Sequence, residues 1–174
     1  VASFRTGSTE GSGTAGILGS ALTGTYGQLT LNSNGSYSYV ANQSAANALA
    51  SGESATDSFN YTISDGNAGT DTGVITITIY GVNDAPTAVD DTDSVDEDGT
   101  VTKTGSQNDA LNDDTDPDTS DSLVVTHIQP GSGSTSAVSS SSTYDSNGTS
   151  VTGTYGTLTI GADGSYTYTA DQSA

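Results

Sequence analysis

Residues 23–45, TGTYGQLTLNSNGSYSYVANQSA, return 129 residues later as residues 152–174, TGTYGTLTIGADGSYTYTADQSA. In both copies tyrosines alternate with hydroxyl residues, at Tyr37, Tyr39, Tyr166 and Tyr168. Such alternation is typical of a strand with one buried face. Gly35 and Gly164 end the turns NSNG and GADG, where a positive φ closes a short hairpin loop. A supersecondary pattern that returns at a long, fixed distance predicts tandem repeated domains.

Other segments, outside this repeat, also have the two-residue periodicity of β-strands. Apolar and polar residues alternate around Phe59, Tyr61, Ile63, Ile75, Ile77 and Ile79, which predicts a second hairpin. Weak strands are expected at 88–95 and 100–104, a better one at 123–128, one or two helical turns at 43–52, and a surface loop at 131–150. Many short strands with glycine-rich turns predict an all-β fold of antiparallel, Greek-key sandwiches.

The composition restricts the chemistry that the chain can carry. Its 174 residues have a net charge of −19, 31% apolar residues, two basic residues and no cysteine. Without thiols there is neither a disulfide framework nor a thiolate site. Because the sequence has no cluster of basic residues, nucleic acid is not expected as a partner. No apolar run approaches the length of a membrane span, so no membrane insertion is expected, and we expect the chain to be part of a longer one.

Residues 81–98, GVNDAPTAVDDTDSVDED, mark a junction between two β-rich segments. Pro86 cannot donate to a sheet and favours an extended residue before it, so this stretch predicts a strand leaving its domain. We therefore predict domains at 1–86 and 87–174, with a linker around 81–90. Twelve of the 21 acidic residues lie between Asp90 and Asp121, with Lys103 as the one basic residue among them.

Several motifs together resemble the VCBS-type cadherin-like repeats of large secreted bacterial adhesins and RTX-type surface proteins. They are GTYGTLTIGADGSYTY, TDSFNYTISDGNAGTD, GVNDAP, VDEDGTV and LNDDTDPDTSD, in this order around the repeat. The resemblance implies calcium-stabilised, immunoglobulin-like sandwiches in tandem, on a bacterial surface or secreted from it. One departure is the lack of the glycine-rich nonapeptide repeats of RTX secretion domains. The route of secretion is therefore left open.

Counting seven strands A to G, residues 1–86 supply strands C to G of one sandwich. Residues 87–174 supply strands A to E of the next. This numbering leaves neither sandwich complete. The missing strands belong either to a longer parent chain or to a neighbouring copy.

The acidic loop 112–118, NDDTDPD, has carboxylates at alternate positions. Such spacing turns alternate oxygens towards one ion, and calcium takes six to eight oxygen ligands. The loop is not an EF-hand, because it lacks the glycine at the sixth position and the final bidentate glutamate. The alternative is a solvated acidic loop without an ion.

In a sandwich of this topology, acids from both segments meet at the junction, similar to the interdomain calcium arrangement of cadherins. We expect calcium ligands from the first segment and linker at Glu53, Asp57, Asn83 and Asp84. From the second segment we expect Asp114, Asp116 and Asp118. A further acidic turn lies at the opposite end of the second domain and contains Asp96, Glu97 and Asp98. We expect these residues to bind calcium at the next interdomain junction. For Glu53 and Asp57, the alternative is exposed turn residues.

The paired carboxylates lie on turns, without the burial that splits pKa values for acid–base catalysis. We therefore expect no enzyme activity. The sequence indicates a calcium-stabilised spacer or adhesion repeat of an extracellular bacterial adhesin or surface fibre, with neighbouring repeats as partners. The alternatives are a β-sandwich module that binds glycans or another surface, and a fibre subunit completed by strand exchange between copies.

Overall fold

A computed structural model describes residues 1–105 and 108–171. The chain divides into two compact units. Unit 1 comprises Val1–Asp84 with Pro117–Asp121, and unit 2 comprises Ala85–Asp116 with Ser122–Ala174. The sheets within both units are antiparallel, which confirms the prediction of an all-β fold. The predicted boundary near residues 81–90, and the assignment of the segments to strands C–G and A–E, stay predictions.

Unit 1 is built from two three-stranded sheets within the described residues. One sheet has the order β1-β5-β6 and the other the order β2-β3-β4. The elements are β1 (Ser3–Thr6), β2 (Ala21–Thr23), β3 (Gln28–Leu31), β4 (Tyr37–Val40), α1 (Ser44–Asn47), β5 (Ser54–Ser64) and β6 (Thr70–Tyr80). The helical turn predicted at 43–52 is present as α1, which has no buried residue.

The core of unit 1 lies between these two sheets. Its buried side chains are Phe4, Leu22, Leu29, Leu31 and Phe59, one or more from each of β1, β2, β3 and β5. The hairpin β5–β6 pairs in register over eleven residues, as the alternation of its sequence predicts. Its turn is closed by Asp65, whose carboxylate accepts hydrogen bonds from the amides of Asn67 and Gly69.

Unit 2 contains a four-stranded sheet of order β10-β11-β12-β7 and a short pair, β8-β9. The strands are β7 (Thr100–Lys103), β8 (His127–Ile128), β9 (Ser136–Ala137), β10 (Thr149–Thr152), β11 (Gly156–Ile160) and β12 (Tyr166–Ala170). The expected strand at 88–95 is absent; a single bridge, between Thr87 and Thr115, precedes it in the chain. The strand expected at 123–128 is reduced to β8.

The core of unit 2 is small and partly built from a segment that the sequence predicts to be a surface loop. Its buried residues are Val138, Ile160 and Ala162. Ser142 is also buried, and its Oγ donates to the Ser139 carbonyl and accepts from the Ala162 amide. The loop prediction for 131–150 is therefore wrong at Val138 and Ser142, which are buried in the core of unit 2.

The repeated stretch folds into the same hairpin in both units. Leu29 faces Tyr39 between β3 and β4, and Leu158 faces Tyr168 between β11 and β12. The last three residues of the second copy, 172–174, lie outside the described residues. Among the described helices, none is long and apolar enough to cross a membrane.

Candidate functional site

Asp57 is a buried carboxylate of unit 1 with several hydrogen-bond donors around it. Its side chain is 4% exposed and accepts hydrogen bonds from the backbone amides of Thr25, Tyr26 and Gly27 at 2.9–3.1 Å. The Tyr39 hydroxyl donates to the same carboxylate at 2.6 Å. A buried carboxylate is tolerated only where its charge is met by such donors. The group therefore ties the β5 strand to the opposite sheet.

Glycines in the TGTYG loop allow this close approach. A β-carbon on Gly24 would overlap the carboxylate of Asp57, and one on Gly27 would overlap the ring of Tyr39. With glycine at both positions, the loop can wrap its amides around the carboxylate.

Burial raises the pKa of the Tyr39 hydroxyl, and the hydrogen bond to Asp57 and the charge of that residue raise it further. The tyrosine therefore stays a donor over the whole physiological range. The sequence predicts Asp57 as a calcium ligand, and that assignment stays a prediction. An ion at this carboxylate would have to compete with four hydrogen bonds already made within unit 1.

The other predicted ligands of the first segment and the linker, Glu53, Asn83 and Asp84, also form hydrogen bonds. The Glu53 side chain accepts a hydrogen bond from the Ala50 amide, and the Asn83 side chain donates to the Asp84 carbonyl. Asp118 is 1% exposed and accepts a hydrogen bond from the Asp84 amide at 2.8 Å. The Asp84 backbone thus contacts the Asp118 side chain, and the assignment of both residues as calcium ligands stays a prediction.

Asp114 is held within unit 2. Its carboxylate accepts a hydrogen bond from the Val89 amide at 2.7 Å, beside the bridge between Thr87 and Thr115. Asp116 is half-buried in the same unit. The hydrogen bond and the bridge hold this part of the acidic loop against residues 87–89.

Asp91 lies within electrostatic reach of this loop. Its pKa is raised, first by desolvation and then by the negative charges of neighbouring carboxylates. Those neighbours are Asp113, Asp114, Asp109 and Asp90. Asp90, Asp91 and Asp109 are not among the ligands predicted from the sequence. The signal that could have found Asp90 and Asp91 is the acidic stretch DDTD at 90–93, within the junction.

The remaining candidates form an exposed turn. The Gly99 amide donates to the Asp96 carbonyl, and Asp98 has a positive φ of 61°. Asp96, Glu97 and Asp98 are all exposed. Over residues 1–105 and 108–171, no group of three acidic or histidine side chains has an arrangement that could hold a metal ion. The calcium assignments of the sequence analysis therefore stay predictions.

Unit 1 also has an open groove of about 480 Å³ beside α1. Tyr80, whose side chain is 75% exposed, stands at one wall. Amide side chains of Asn42, Gln43 and Asn47 line the groove, together with Asp84. An exposed aromatic ring next to amide donors and acceptors can bind a polar ligand that has one apolar face.

The antiparallel sheets of both units place the protein in the class of all-β proteins. Residues 3–81 are a bacterial cadherin-like domain by their match to that family. A relative from Rhizobium johnstonii (strain DSM 114642 / LMG 32736 / 3841), named calcium-binding lectin RapA2, is 42% identical over 71 residues. This similarity covers 40% of the present chain and 30% of the relative, so it spans less than a third of the relative's length.

Proposed function

We propose that the chain is a calcium-stabilised adhesion module of a bacterial surface or secreted protein. The observation that carries this proposal is the concentration of carboxylates around Asp91 and Asp114 in unit 2. The cadherin-like match of residues 3–81 and the name of the relative, a calcium-binding lectin, support it.

The donor chemistry of the acidic loop suits calcium. All the side chains that raise the pKa of Asp91 by their charge are carboxylates, and calcium takes oxygen ligands. Two carboxylates 4 Å apart repel by about 1 kcal/mol in water, so a divalent cation would relieve several such repulsions at once. When bound, the ion would supply charge neutralisation and a rigid connection between loop segments.

Asp114 and Asp91 are the residues that we expect to contact the ion, with Asp113, Asp109 and Asp90 beside them. Because no ready-made three-ligand group is present in the described ranges, binding must draw these side chains closer together. The ion would thereby stiffen the segment after the junction. A stiff segment of this kind suits a spacer between adhesive repeats.

Calcium titration of isotopically labelled protein tests this proposal. We expect the amide resonances of residues 89–91 and 109–114 to shift at millimolar calcium, since extracellular calcium modules have dissociation constants of about 10⁻⁴–10⁻³ M. Asp114→Asn should weaken the shifts, whereas Asp71→Asn, an exposed acid in unit 1, should leave them unchanged. Shifts that magnesium reproduces at the same concentration would argue against a calcium site.

A second candidate function is glycan binding by the groove of unit 1. The exposed ring of Tyr80 and the amides of Asn42 and Asn47 favour it, because sugars present both an apolar face and hydroxyl groups. The relative's name includes the word lectin. A glycan array with wild type and Tyr80→Ala tests this function. Equal signals from the two proteins would exclude the groove as the binding site.

A further inference from the structure

We propose that Asn147 in unit 2 is a site of spontaneous deamidation, at which the asparagine is converted to aspartate and isoaspartate by water, without an enzyme. Two asparagines of the chain are followed by glycine, Asn34 and Asn147. They share the same reactive dipeptide, but the folded chain holds them differently. The proposal concerns a covalent modification and does not depend on calcium.

The reaction joins two neighbouring groups of the chain. The backbone nitrogen of Gly148 attacks Cγ of Asn147, and the new N–Cγ bond closes a cyclic succinimide. The Cγ–Nδ2 bond breaks, and ammonia leaves with the proton that the Gly148 nitrogen loses. Water then opens the ring at Cγ to give aspartate, or at the main-chain carbonyl carbon to give isoaspartate. A following glycine favours the attack, because it has no β-carbon to keep the side chain away.

The fold favours both residues of this dipeptide in a turn before β10. Thr143 and Ser146 form an antiparallel bridge, and Asn147 follows it with a positive φ of 58°. Besides glycine, asparagine is one of the few residues that adopt this left-handed conformation readily. A β-carbon on Gly148 would lie 2.7 Å from the Tyr144 carbonyl oxygen and 2.9 Å from that of Thr143. The turn therefore suits an Asn–Gly pair, whatever the reactivity of that pair.

The reacting groups at Asn147 are not held by hydrogen bonds. The Asn147 side chain is exposed to water. Within residues 1–105 and 108–171, neither the Asn147 carboxamide nor the Gly148 amide makes a hydrogen bond. Ring closure at this position therefore breaks no hydrogen bond among the residues that the structure describes.

Asn34 is also exposed, but hydrogen bonds hold both of its reacting groups. Its Oδ1 accepts a hydrogen bond from the Ser36 amide at 3.0 Å and from the Ser36 hydroxyl at 2.8 Å. The Gly35 amide, whose nitrogen would attack, donates to the Asn32 carbonyl at 3.0 Å. Attack at Asn34 has to break this bond, since the nitrogen must lose the proton that it donates. Asn34 is therefore a matched control within the same chain.

The modification changes the charge and the length of the main chain at the turn. Conversion places a new carboxylate two residues after Asp145, in a chain whose net charge is already −19. Isoaspartate also adds one carbon to the main chain directly before β10, where Thr149 pairs with Ile160. The effect is therefore local to unit 2.

The first test incubates the full, folded chain in mildly alkaline buffer. Peptide mass spectrometry then measures the deamidated fraction at residues 34 and 147 separately. We expect Asn147 to react about ten times faster than Asn34, because the hydrogen bonds that hold Asn34 and Gly35 must be broken before attack. Equal rates at the two positions, or a faster reaction at Asn34, would overturn the proposal.

The same measurement in urea separates the effect of the fold from that of the sequence. In the unfolded chain both dipeptides are followed by a hydroxyl residue, Ser36 or Thr149, so their rates should become similar. A ratio of the two rates that is the same in urea as in the folded chain would contradict a role for the fold.

The products test the route through Gly148. Isoaspartate forms by way of the succinimide, so we expect it at position 147 together with aspartate. Asn147→Gln should remove the isoaspartate at that position, because the longer side chain would have to close a larger ring, and should leave the rate at Asn34 unchanged. Conversion of Asn147 to aspartate alone would overturn the attack by the Gly148 nitrogen.

Discussion

The Tyr39 hydroxyl donates to Asp57 Oδ2 across 2.6 Å, joining β4 of one sheet to β5 of the other in unit 1. The amides of Tyr26 and Gly27 donate to the same oxygen, and that of Thr25 donates to Oδ1. In a domain with so small an apolar core, one buried carboxylate that connects two sheets carries much of the structural specificity.

Asp57→Ala should lower the free energy of unfolding of unit 1 by about 3–5 kcal/mol, since buried donors lose their acceptor at a cost of about 1–3 kcal/mol each. Urea denaturation followed by tyrosine fluorescence measures this loss. Asp71→Ala is the matched control, because Asp71 is exposed and its carboxylate accepts a hydrogen bond from the neighbouring Thr72 amide. A loss below about 1 kcal/mol in Asp57→Ala would show that the amides find water or another partner.

Tyr39→Phe should cost about 1.5–3 kcal/mol, the usual contribution of a hydrogen bond to a charged group. The substitution should also change how the free energy of unfolding depends on pH in the alkaline range. The folded-state pKa of Tyr39 is raised above its ordinary value of 10.0, so its contribution is complete below pH 10 and is lost as the pH rises further.

Unfolding free energies between pH 9 and pH 11 test this dependence. Wild type should lose stability steeply in this interval, and Tyr39→Phe less steeply. Tyr80→Phe, at an exposed position, should keep the wild-type slope. Parallel profiles for wild type and Tyr39→Phe would contradict the role given to the Tyr39–Asp57 contact.

Lys103 and Asp93 form an ion pair at 3.2 Å in unit 2, with side chains 28% and 24% exposed. The pKa of Asp93 is lowered, first by the hydrogen bond from the Ser94 amide and then by Lys103. A depressed carboxyl pKa contributes stability above the ordinary value of 3.8, and that stability is lost as the pH falls through the folded-state value.

Lys103→Met should therefore raise the pKa of Asp93, and a carbon-detected titration of the carboxyl groups measures the change. The ordinary value should not be reached, because the Ser94 amide still donates. Arg5→Gln, at the other basic residue of the chain, should leave the Asp93 titration unchanged. An Asp93 titration that is the same with and without Lys103 would contradict the ion pair.

Local periodicity made much of the fold predictable from sequence. The alternating tyrosines of residues 37–39 and 166–168 occupy strands, and the apolar alternation around Phe59 and Ile77 continues through both strands of the β5–β6 hairpin. These features depend on neighbours two residues apart, which a sequence displays directly.

The site was less predictable, because it depends on contacts between distant residues. In the sequence, nothing distinguishes Asp57 from the many other acidic residues. It is buried because the TGTYG loop, some 30 residues earlier in the chain, packs over it in the fold. Ser142 lies in a serine-rich stretch with the composition of a surface loop, yet it is buried and its hydroxyl hydrogen-bonds two backbone groups. The acidic residues at 90–91 become candidate ligands because the Asp114 carboxylate accepts a hydrogen bond from the Val89 amide, next to them in the chain.

The central claim, that calcium stabilises the acidic segment of unit 2, is tested most directly by calorimetric unfolding in EDTA and in millimolar calcium. Each site held at a hundredfold excess of calcium over its dissociation constant should add about 2.7 kcal/mol to the folded state. We predict a higher midpoint in calcium for wild type and for Asp71→Asn, and a much smaller increase for Asp114→Asn. Superimposable transitions of the wild type in EDTA and in calcium would contradict the claim.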